Sequence, residues 1–439
     1  MTRKAQPEPA PLALEVLRLS MPAILTQITT IAMQYIDSAM VGALGANASA
    51  SIGLVSSATW FFGGFITASS TGFSVQIAHA VGAGESSAAQ RIFRLGLKLC
   101  LAFSLLLCVC GALLSFHLPK LLGADPAIWR DSGLYFLIFS LMLPFSQLSS
   151  LCSASLQCAG DMLTPSILNA VMCALDVCFN ALFIPRLGVL GAAVGTELAR
   201  AVIALCLAYV CFFRNGQLRS GITEPVCSTG SVVKKALALG TPVAVQEAAI
   251  YSAMILSTAM TAPLGPAAIA ANSFAITAEG LCYMPGYGIG AAATTLVGRS
   301  IGAGERRLAK SYGSICTLLG GAFMAVTGGL MMLACPLVFR LLTPVEEVRA
   351  LAVSVLRIGL LAEPLYGVSI AAAGALRGAG DTLVPSLLNL LSIWLVRIGL
   401  AHFLIPLYGL SGMWTAMAIE LGVRGLLMLA RQLTSKYYK

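Results

Sequence analysis

Long apolar stretches separated by short polar segments run along nearly the whole sequence. Each is long enough, as a helix, to cross a hydrocarbon core of about 30 Å. The stretches are continuous rather than alternating, and backbone polar groups in lipid need internal partners, so the pattern predicts helices and not a β-barrel. The twelve expected spans are 17–43, 49–80, 90–116, 132–157, 163–185, 188–213, 236–263, 267–299, 310–339, 350–376, 382–406 and 409–431.

The composition agrees with a polytopic membrane protein. Of the 439 residues, 58% are hydrophobic and 10% are charged, whereas soluble domains carry about 25% charged residues. The polar, Pro-rich start leads directly into the first apolar stretch, so we expect no cleavable signal peptide. The 13 cysteines form no Cys-x-x-Cys pair and are odd in number, which favours buried thiols over disulfides or metal ligands.

The basic residues predict the orientation of the chain. If the N-terminus is cytoplasmic, the inner loops and ends hold 19 Lys and Arg residues and the outer loops hold 5. The positive-inside rule then places both termini in the cytoplasm. The net charge of +9 is therefore explained by loop asymmetry, and we expect no nucleic-acid partner.

The sequence repeats itself at a distance of 220 residues. Residues 156–169 match residues 376–389, and residues 82–85 match residues 302–305 at the same distance. Six spans in each half give both halves one orientation, related by an axis along the membrane normal, with a central cleft expected between them. We predict an N-terminal six-helix bundle at 1–213, a cytoplasmic linker at 214–235 and a C-terminal bundle at 236–439. Single residues in the same register are Pro22 and Pro242, Gly45 and Gly265, and Pro144 and Pro364, whereas Ile184 and Ile405 are 221 apart.

Charged residues inside the spans are functional candidates, because they are costly in a bilayer. Glu197 with Arg200, and Glu420 with Arg424, have the spacing of ion pairs on one helix face. Arg357 and Arg397 could neutralise carboxylates or reach toward the interface, and the sequence leaves both possibilities open. The remaining candidates are Asp37, Asp176, Glu247, Glu279 and Glu363.

The N-terminal half contains polar residues that could form an ion site. Asp176 and Asn180 share one helix face, and Asp37 and Thr196 lie on other helices of the same half. If the two aspartates meet, burial and a neighbouring like charge favour a bound proton, while the same oxygens could also hold Na⁺. The alternatives are a polar patch that wets the cleft and an Asp37 at the outer interface. Pro22 would let the first helix bend.

The C-terminal half offers a second candidate. Glu247 beside Gln246, together with Glu363 and Tyr366, could form another ion site or serve a structural role. No Walker lysine follows the Gly-rich turns at 82–85 and 302–305, so transport is expected to be driven by ions unless a separate ATPase supplies the energy. We predict no cofactor other than H⁺ or Na⁺ as the coupling ion, and no metal site.

Four motifs resemble the MATE (multidrug and toxic compound extrusion) transporters. They are Tyr-Ile-Asp-Ser-Ala-Met-Val-Gly at 35–42, Leu-Gln-Cys-Ala-Gly-Asp at 156–161, Phe-Ile-Pro to Gly-Val-Leu-Gly-Ala-Ala at 183–193, and Leu-Arg-Gly-Ala-Gly-Asp at 376–381. The resemblance covers nearly the whole chain. It implies an all-α, V-shaped fold of twelve transmembrane helices in two pseudo-twofold-related six-helix bundles. It also implies an antiporter that expels cationic or amphipathic drugs in exchange for H⁺ or Na⁺.

The resemblance also assigns residues. Asp37 matches the family's helix-one acid, Pro22 its helix-bending proline, and Thr196 a hydroxyl of the DinF-like site. In those relatives the asparagine of the fifth helix precedes the aspartate, whereas here Asp176 precedes Asn180.

The NorM-like branch gives the C-half matches. Glu247 matches its helix-seven glutamate, and Tyr366 stands where that branch has an aspartate. Glu363, one turn earlier, could substitute for it. The chain thus combines features of both branches.

Three other functions remain as alternatives. A flippase of lipid-linked oligosaccharides would need a cationic cleft, but the buried charges are mostly acidic. A membrane enzyme such as a prenyltransferase would need Asp-rich metal motifs, which are absent from the sequence, so we do not expect an enzyme. A passive channel would not accumulate a solute against its gradient. We expect a monomer that handles small molecules, and the short termini favour a bacterial inner membrane.

Overall fold

The structure is a computed structural model that describes residues 9–122, 126–219, 229–343 and 345–436. All elements in these ranges are helical, which confirms the all-α prediction. The first half contains α1 Pro9–Gly42, α2 Ala46–Gly82, α3 Ser86–Leu114, α4 Leu118–Leu121, α5 Trp129–Leu141, α6 Leu143–Cys158, α7 Leu163–Leu187 and α8 Val189–Tyr209, with a 3₁₀ turn at Pro126–Ile128 and a π-helical end at Val210–Arg214.

The second half follows the same order. It contains α9 Thr229–Thr261, α10 Pro266–Gly302, α11 Arg306–Leu342, α12 Glu346–Leu360, α13 Glu363–Ala379, α14 Leu383–Leu391, α15 Gly399–Tyr408 and α16 Leu410–Thr434. A 3₁₀ turn at Ala262–Leu264 follows α9, and a π-helical segment at Ser392–Ile398 joins α14 to α15.

Every predicted span has a helical counterpart. Nine of the described helical segments are long and apolar enough to cross a membrane, and two bent helix pairs raise the number to eleven. The twelfth is α10, whose 37 residues give ample length, while its Gly, Ala and Pro residues make it less apolar. The chain is a multi-pass membrane protein.

Two of the spans are bent, which the sequence analysis did not predict. The helix axis turns by 47° between Pro126–Leu141 and Leu143–Cys158, and by 52° between Glu346–Leu360 and Glu363–Ala379. Pro144 and Pro364 lie in the first turn of the second helix at each bend. Proline has no N–H to donate there and fits that position, so each bend lies at one proline of the repeated pair.

The repeat extends to the backbone geometry. The second glycine of each Gly-Ala-Gly-Glu turn has a positive φ, with 75° at Gly84 and 74° at Gly304. A residue with a Cβ rarely adopts this conformation, so both turns need glycine. Every positive-φ residue in the described chain is a glycine of such a pair: Gly45 and Gly265, Gly84 and Gly304, Gly160 and Gly380, and Gly188 and Gly409.

The π-helical segment at Ser392–Ile398 accounts for a change in the repeat distance. Gly160 and Gly380 are 220 residues apart, whereas Gly188 and Gly409 are 221 apart. The C-terminal half therefore has one additional residue between these positions. A π-bulge accommodates one inserted residue within a continuous helix, and α7, the counterpart in the first half, has no such segment.

Contacts divide the chain into two compact units. One comprises residues Thr29–Ala248, and the other comprises α1 up to Ile28 together with the chain from Ala249 onward. These units cut α1 and α9, whereas the predicted bundles at 1–213 and 236–439 follow chain order, so the bundle bounds stay a prediction. Of the predicted linker at 214–235, residues 220–228 lie outside the described residues, and α9 begins at Thr229.

Close backbone contact between α10 and α13 holds the second unit together. A Cβ on Gly374 would lie 2.3 Å from the carbonyl oxygen of Gly290, which leaves no room for a side chain. The Thr294 hydroxyl donates to the carbonyl oxygens of Gly290 at 3.0 Å and Gly374 at 2.9 Å. Small residues and an interhelical hydroxyl are the usual means of helix association in lipid.

Gly374→Ala should destabilise the protein, because the carbonyl it would meet belongs to the backbone of α10 and cannot rotate away. Overpacking of this kind costs about 1–3 kcal/mol. Gly329→Ala is the matched control, since a Cβ there meets no atom within 4 Å. Thermal unfolding of the purified variants in detergent should show a lower Tm for Gly374→Ala alone. Equal Tm values would contradict the close packing.

Candidate functional site

Three of the predicted site residues lie together in the unit Thr29–Ala248. Asp37 is in α1, and Asp176 and Asn180 are one turn apart in α7. The amide of Asn180 donates a hydrogen bond to Oδ1 of Asp37 at 2.8 Å. Asp176 and Asn180 are fully buried, while Asp37 is partly exposed.

The carboxyl groups of Asp37 and Asp176 lie within hydrogen-bonding contact of each other. Neither oxygen of Asp176 receives a hydrogen bond from a donor in the described protein. Two carboxylates are both acceptors, and the contact becomes a hydrogen bond only when one of them carries a proton. The geometry therefore suits a shared proton.

An ion pair lies beside this carboxyl pair. Arg200 and Glu197, three residues apart in α8, form the salt bridge expected from their spacing. Arg200 also contacts the Ser146 hydroxyl at 3.4 Å, and it acts electrostatically on Asp37. Arg200 is therefore paired with Glu197 and also acts on Asp37, so the described protein gives the two aspartates no counter-cation of their own.

The structure does not test the roles predicted for the two other N-half residues, Thr196 and Pro22. Thr196 lies in α8, and its hydroxyl makes no hydrogen bond within the described residues, so its role stays a prediction. Pro22 lies inside α1, which remains helical there, and the Thr26 hydroxyl donates to the Pro22 carbonyl at 3.1 Å. Its bending role likewise stays a prediction.

The predicted C-half residues fall into different units. Glu247 is in α9 within Thr29–Ala248, and the Gln246 amide lies 3.5 Å from its carboxyl group. Glu363 and Tyr366 are in α13 of the other unit. Glu363 is fully buried, and neither of its oxygens has a hydrogen-bond partner in the described chain.

Tyr366 belongs to an aromatic cluster. Its hydroxyl lies 3.3 Å from that of Tyr287, and its ring centroid lies 5.6 Å from that of Tyr283. The guanidinium of Arg424 lies over the Tyr366 ring, 5.3 Å from its centroid, at a distance typical of a cation–π contact. Tyr366 is therefore fixed by its neighbours, whereas Glu363 is unsatisfied.

A cavity of about 160 Å³ in the second unit was not predicted. Its wall includes Glu279, Arg397 and Trp414, and the Trp414 indole donates to Asn272 Oδ1 at 2.9 Å. Glu279 and Arg397 were expected from the sequence as intramembrane charges without an assigned partner. Arg397 lies in the π-helical segment, and the extra residue in the repeat is the signal of that segment in the sequence.

A buried charge network borders the cavity. Glu420 accepts hydrogen bonds from Arg397 at 2.6 Å and from Ser392 at 2.7 Å, and it forms an ion pair with Arg424 at 2.9 Å. The Glu420–Arg424 pair expected from sequence is thus present. Arg424 also contacts Asn389 at 3.3 Å. Two guanidinium groups share one carboxylate here, so the network alone carries one positive charge.

The chain belongs to the MatE family, whose model matches residues 22–182 and 242–403. The two matched regions correspond to the two repeats, and together they cover most of the chain. Family membership establishes a transporter rather than an enzyme, in agreement with the sequence analysis.

Similar proteins agree with this assignment. The chain is 28% identical to the probable multidrug resistance protein NorM of Thermotoga maritima, over 97% of this chain and 93% of that protein. It is 30% identical to the corresponding Burkholderia pseudomallei protein, over 97% and 91%. A mutant of the Vibrio cholerae MATE transporter VcmN has the same fold, with a TM-score of 0.91, 18% identity, and coverage of 98% and 99%.

Gly195→Ala should impair transport while leaving the fold intact. A Cβ at this position would lie 2.2 Å from Oδ1 of Asn180, so the amide must turn away from Asp37. A hydrogen bond to a charged group contributes about 1.5–3 kcal/mol, which corresponds to roughly a tenfold loss or more in transport rate at limiting substrate. Proteoliposome transport would measure it.

Gly53→Ala serves as the control, because a Cβ there meets no atom within 4 Å. Wild-type transport by Gly195→Ala would show that the Asn180–Asp37 contact is dispensable.

Proposed function

We propose that this protein is a multidrug efflux antiporter that exports cationic or amphipathic compounds in exchange for protons. Family membership supports transport, and the names of the NorM relatives support multidrug compounds as the cargo. The observation that carries proton coupling is the contact between the carboxyl groups of Asp37 and Asp176.

The contact favours a proton over Na⁺ for a geometric reason. Carboxyl groups in hydrogen-bonding contact hold a proton between two oxygens, and no further ligand is required. A hard metal cation needs several oxygens at well-defined distances, and inserting it would require the two carboxyl groups to separate. Na⁺ coupling therefore stands as the second candidate, and the transport experiment below distinguishes the two.

Exchange follows if proton and drug compete for the same charge. An ionised aspartate pair attracts a cationic drug, and protonation removes that attraction. Each ligand shifts the equilibrium between transport states only as far as it binds one state better than the other. In this scheme, protonation of Asp37 lets α1 bend near Pro22, and the drug is released to the outside. Deprotonation on the cytoplasmic side then returns the transporter to its starting state.

We assign the C-half residues Glu247, Glu363 and Tyr366 a lesser role in this proposal. Glu363 is the strongest of the three, because a fully buried carboxyl group without a partner is costly as an anion. It supports a second proton site. Thr196 is retained as a contributor to the N-half site on the basis of the family resemblance.

The proposed setting is a bacterial inner membrane, crossed twelve times by a monomer. The relatives named above come from bacteria. Nineteen basic residues on one side against five on the other support cytoplasmic termini.

An imposed pH gradient, acidic on the side from which protons enter, should drive drug uptake or release in proteoliposomes. A Na⁺ gradient at equal pH should not. Asp37→Asn and Asp176→Asn should each abolish driven transport, because an amide cannot release a proton at these pH values. Glu247→Gln should retain much of the wild-type rate. Fluorescent-drug flux measures all four proteins.

Asp131→Asn is the matched control, since this aspartate is exposed at the start of α5. Transport driven by the Na⁺ gradient alone would contradict proton coupling and support Na⁺ as the coupling ion. Full transport activity of both aspartate variants would show that the N-half site does not couple transport.

The orientation can be tested separately with a protease-cleavable tag at either terminus. The tag should be protected in right-side-out vesicles and cleaved in inverted vesicles, because the basic loops are retained on the cytoplasmic side. Cleavage of either tag in right-side-out vesicles would contradict cytoplasmic termini.

A further inference from the structure

The cavity in the second unit occupies the place in the repeat that the aspartate site occupies in the first. Ser257 follows Asp37 by 220 residues, and it lines the cavity. Beyond the π-helical segment the distance is 221, and Met417 then corresponds to Thr196 and also lines the cavity. The same region of the second repeat therefore lines a cavity, with Ser257 in place of Asp37 and the apolar Met417 in place of Thr196.

The counterpart of Asp176 lies inside the π-helical segment, where the repeat distance changes from 220 to 221. At a distance of 220 the counterpart would be Val396, and at 221 it is Arg397. Arg397 lines the cavity together with Ser257, whereas Val396 does not. The C-terminal repeat thus places a guanidinium where the N-terminal repeat has a carboxylate.

With both carboxyl groups ionised, the charges of Glu279, Glu420, Arg397 and Arg424 sum to zero, and removal of Arg397 leaves one negative charge. Arg397 donates from Nε at 3.1 Å and from Nη2 at 2.6 Å to Glu420, which is fully buried. Glu279, on the cavity wall, interacts with Arg397 electrostatically. The charged and titratable groups around Arg397 are Glu279 and Tyr283 on α10, Tyr366 on α13, and Glu420 and Arg424 on α16. Glu363 on α13 interacts electrostatically with Glu279.

Loss of Arg397 would leave the Glu279 charge without compensation in a cavity that suits a small cation. Ser257 has a buried hydroxyl oxygen without a hydrogen-bond partner, and it lies on the same wall. The volume of about 160 Å³ equals roughly five waters at about 30 Å³ each. Drug-sized ligands need about 300–1,000 Å³, so a small ion with water is the occupant that fits.

We propose that the Arg397 guanidinium is a tethered counter-cation, which takes in the C-terminal repeat the place of the exchangeable ion in the N-terminal repeat. The cavity beside it then binds a monovalent cation, H⁺ or Na⁺, only when Arg397 is removed. This inference rests on the proposed function, since it assumes that the N-terminal repeat binds the coupling ion. In the wild-type protein this cavity then holds no exchangeable ion.

The test measures the Tm of purified protein in a background that lacks the N-half site, Asp37→Asn with Asp176→Asn. Each variant is compared in NaCl and in N-methylglucamine chloride of equal ionic strength at pH 8, and without Na⁺ at pH 6 and pH 8. The gain in Tm on adding Na⁺, or on lowering the pH from 8 to 6, should be roughly 2–4 °C larger with Arg397→Gln than in the background alone. The reason is that a ligand that binds only the folded state stabilises it. Glu363 is present in all variants, so its effect cancels.

Two further variants identify the group responsible. Arg397→Lys keeps the positive charge and should respond as the background does. Adding Glu279→Gln to the Arg397→Gln protein should abolish the gain. Absence of any gain in the Arg397→Gln protein, or a gain that survives Glu279→Gln, would overturn the proposal.

If the Arg397→Gln protein fails to fold under standard conditions, its recovery with added cation still tests the proposal. Folded protein should then be recovered by purification in NaCl or at pH 6, and failure under both conditions contradicts the proposal. Failure of the proposed function shows elsewhere, as wild-type transport that does not depend on Asp37 and Asp176. That result would leave the Tm comparison unchanged.

Discussion

A carboxylate removed from water needs a counter-charge, hydrogen-bond donors or a proton, and this requirement shapes both halves of the protein. Desolvation costs several kcal/mol per ion even after relaxation. The described chain nevertheless buries Asp176, Glu197, Glu279, Glu363 and Glu420 among its helices. Glu197 and Glu420 are satisfied by arginines, whereas Asp176 and Glu363 have no partner of that kind. The unsatisfied carboxyl groups are therefore the ones that a mobile cation can serve.

The two repeats meet this requirement with different chemistry on a common backbone. Their turns use glycines in the same conformations, and their fourth spans bend at equivalent prolines. Side chains at equivalent positions have diverged, because the backbone geometry needs only glycine and proline at a few places. Asp176 faces another acid, while its counterpart Arg397 is bonded to Glu420. An inserted residue in a π-helical segment accompanies this change.

Much of the fold follows from sequence, because lipid allows few backbone structures and the apolar stretches are long. The repeat, the all-helical fold and the local ion pairs Glu197–Arg200 and Glu420–Arg424 were all accessible in this way. The bends near Pro144 and Pro364 were not predicted, since a proline in an apolar run gives no angle.

The site was only partly accessible from the sequence. Asp176 and Asn180 share a face by simple helix periodicity, and the structure places Asp37 of α1, already a candidate from the sequence, against Asn180. Glu279 and Arg397 lie 118 residues apart, and no periodicity links residues so distant in sequence. Their cavity depends on the helix arrangement, on the absence of a side chain at Gly359 beside the Trp414 ring, and on the π-helical segment.

The most direct test of the central claim is infrared difference spectroscopy of the purified protein across a pH titration. It detects the C=O stretching band of a protonated carboxyl group, and it can be repeated with Asp37→Asn. The account predicts a band that appears as one proton binds the Asp37–Asp176 pair and that is missing or displaced in the variant. A wild-type spectrum without such a band, or one identical to that of the variant, would contradict it.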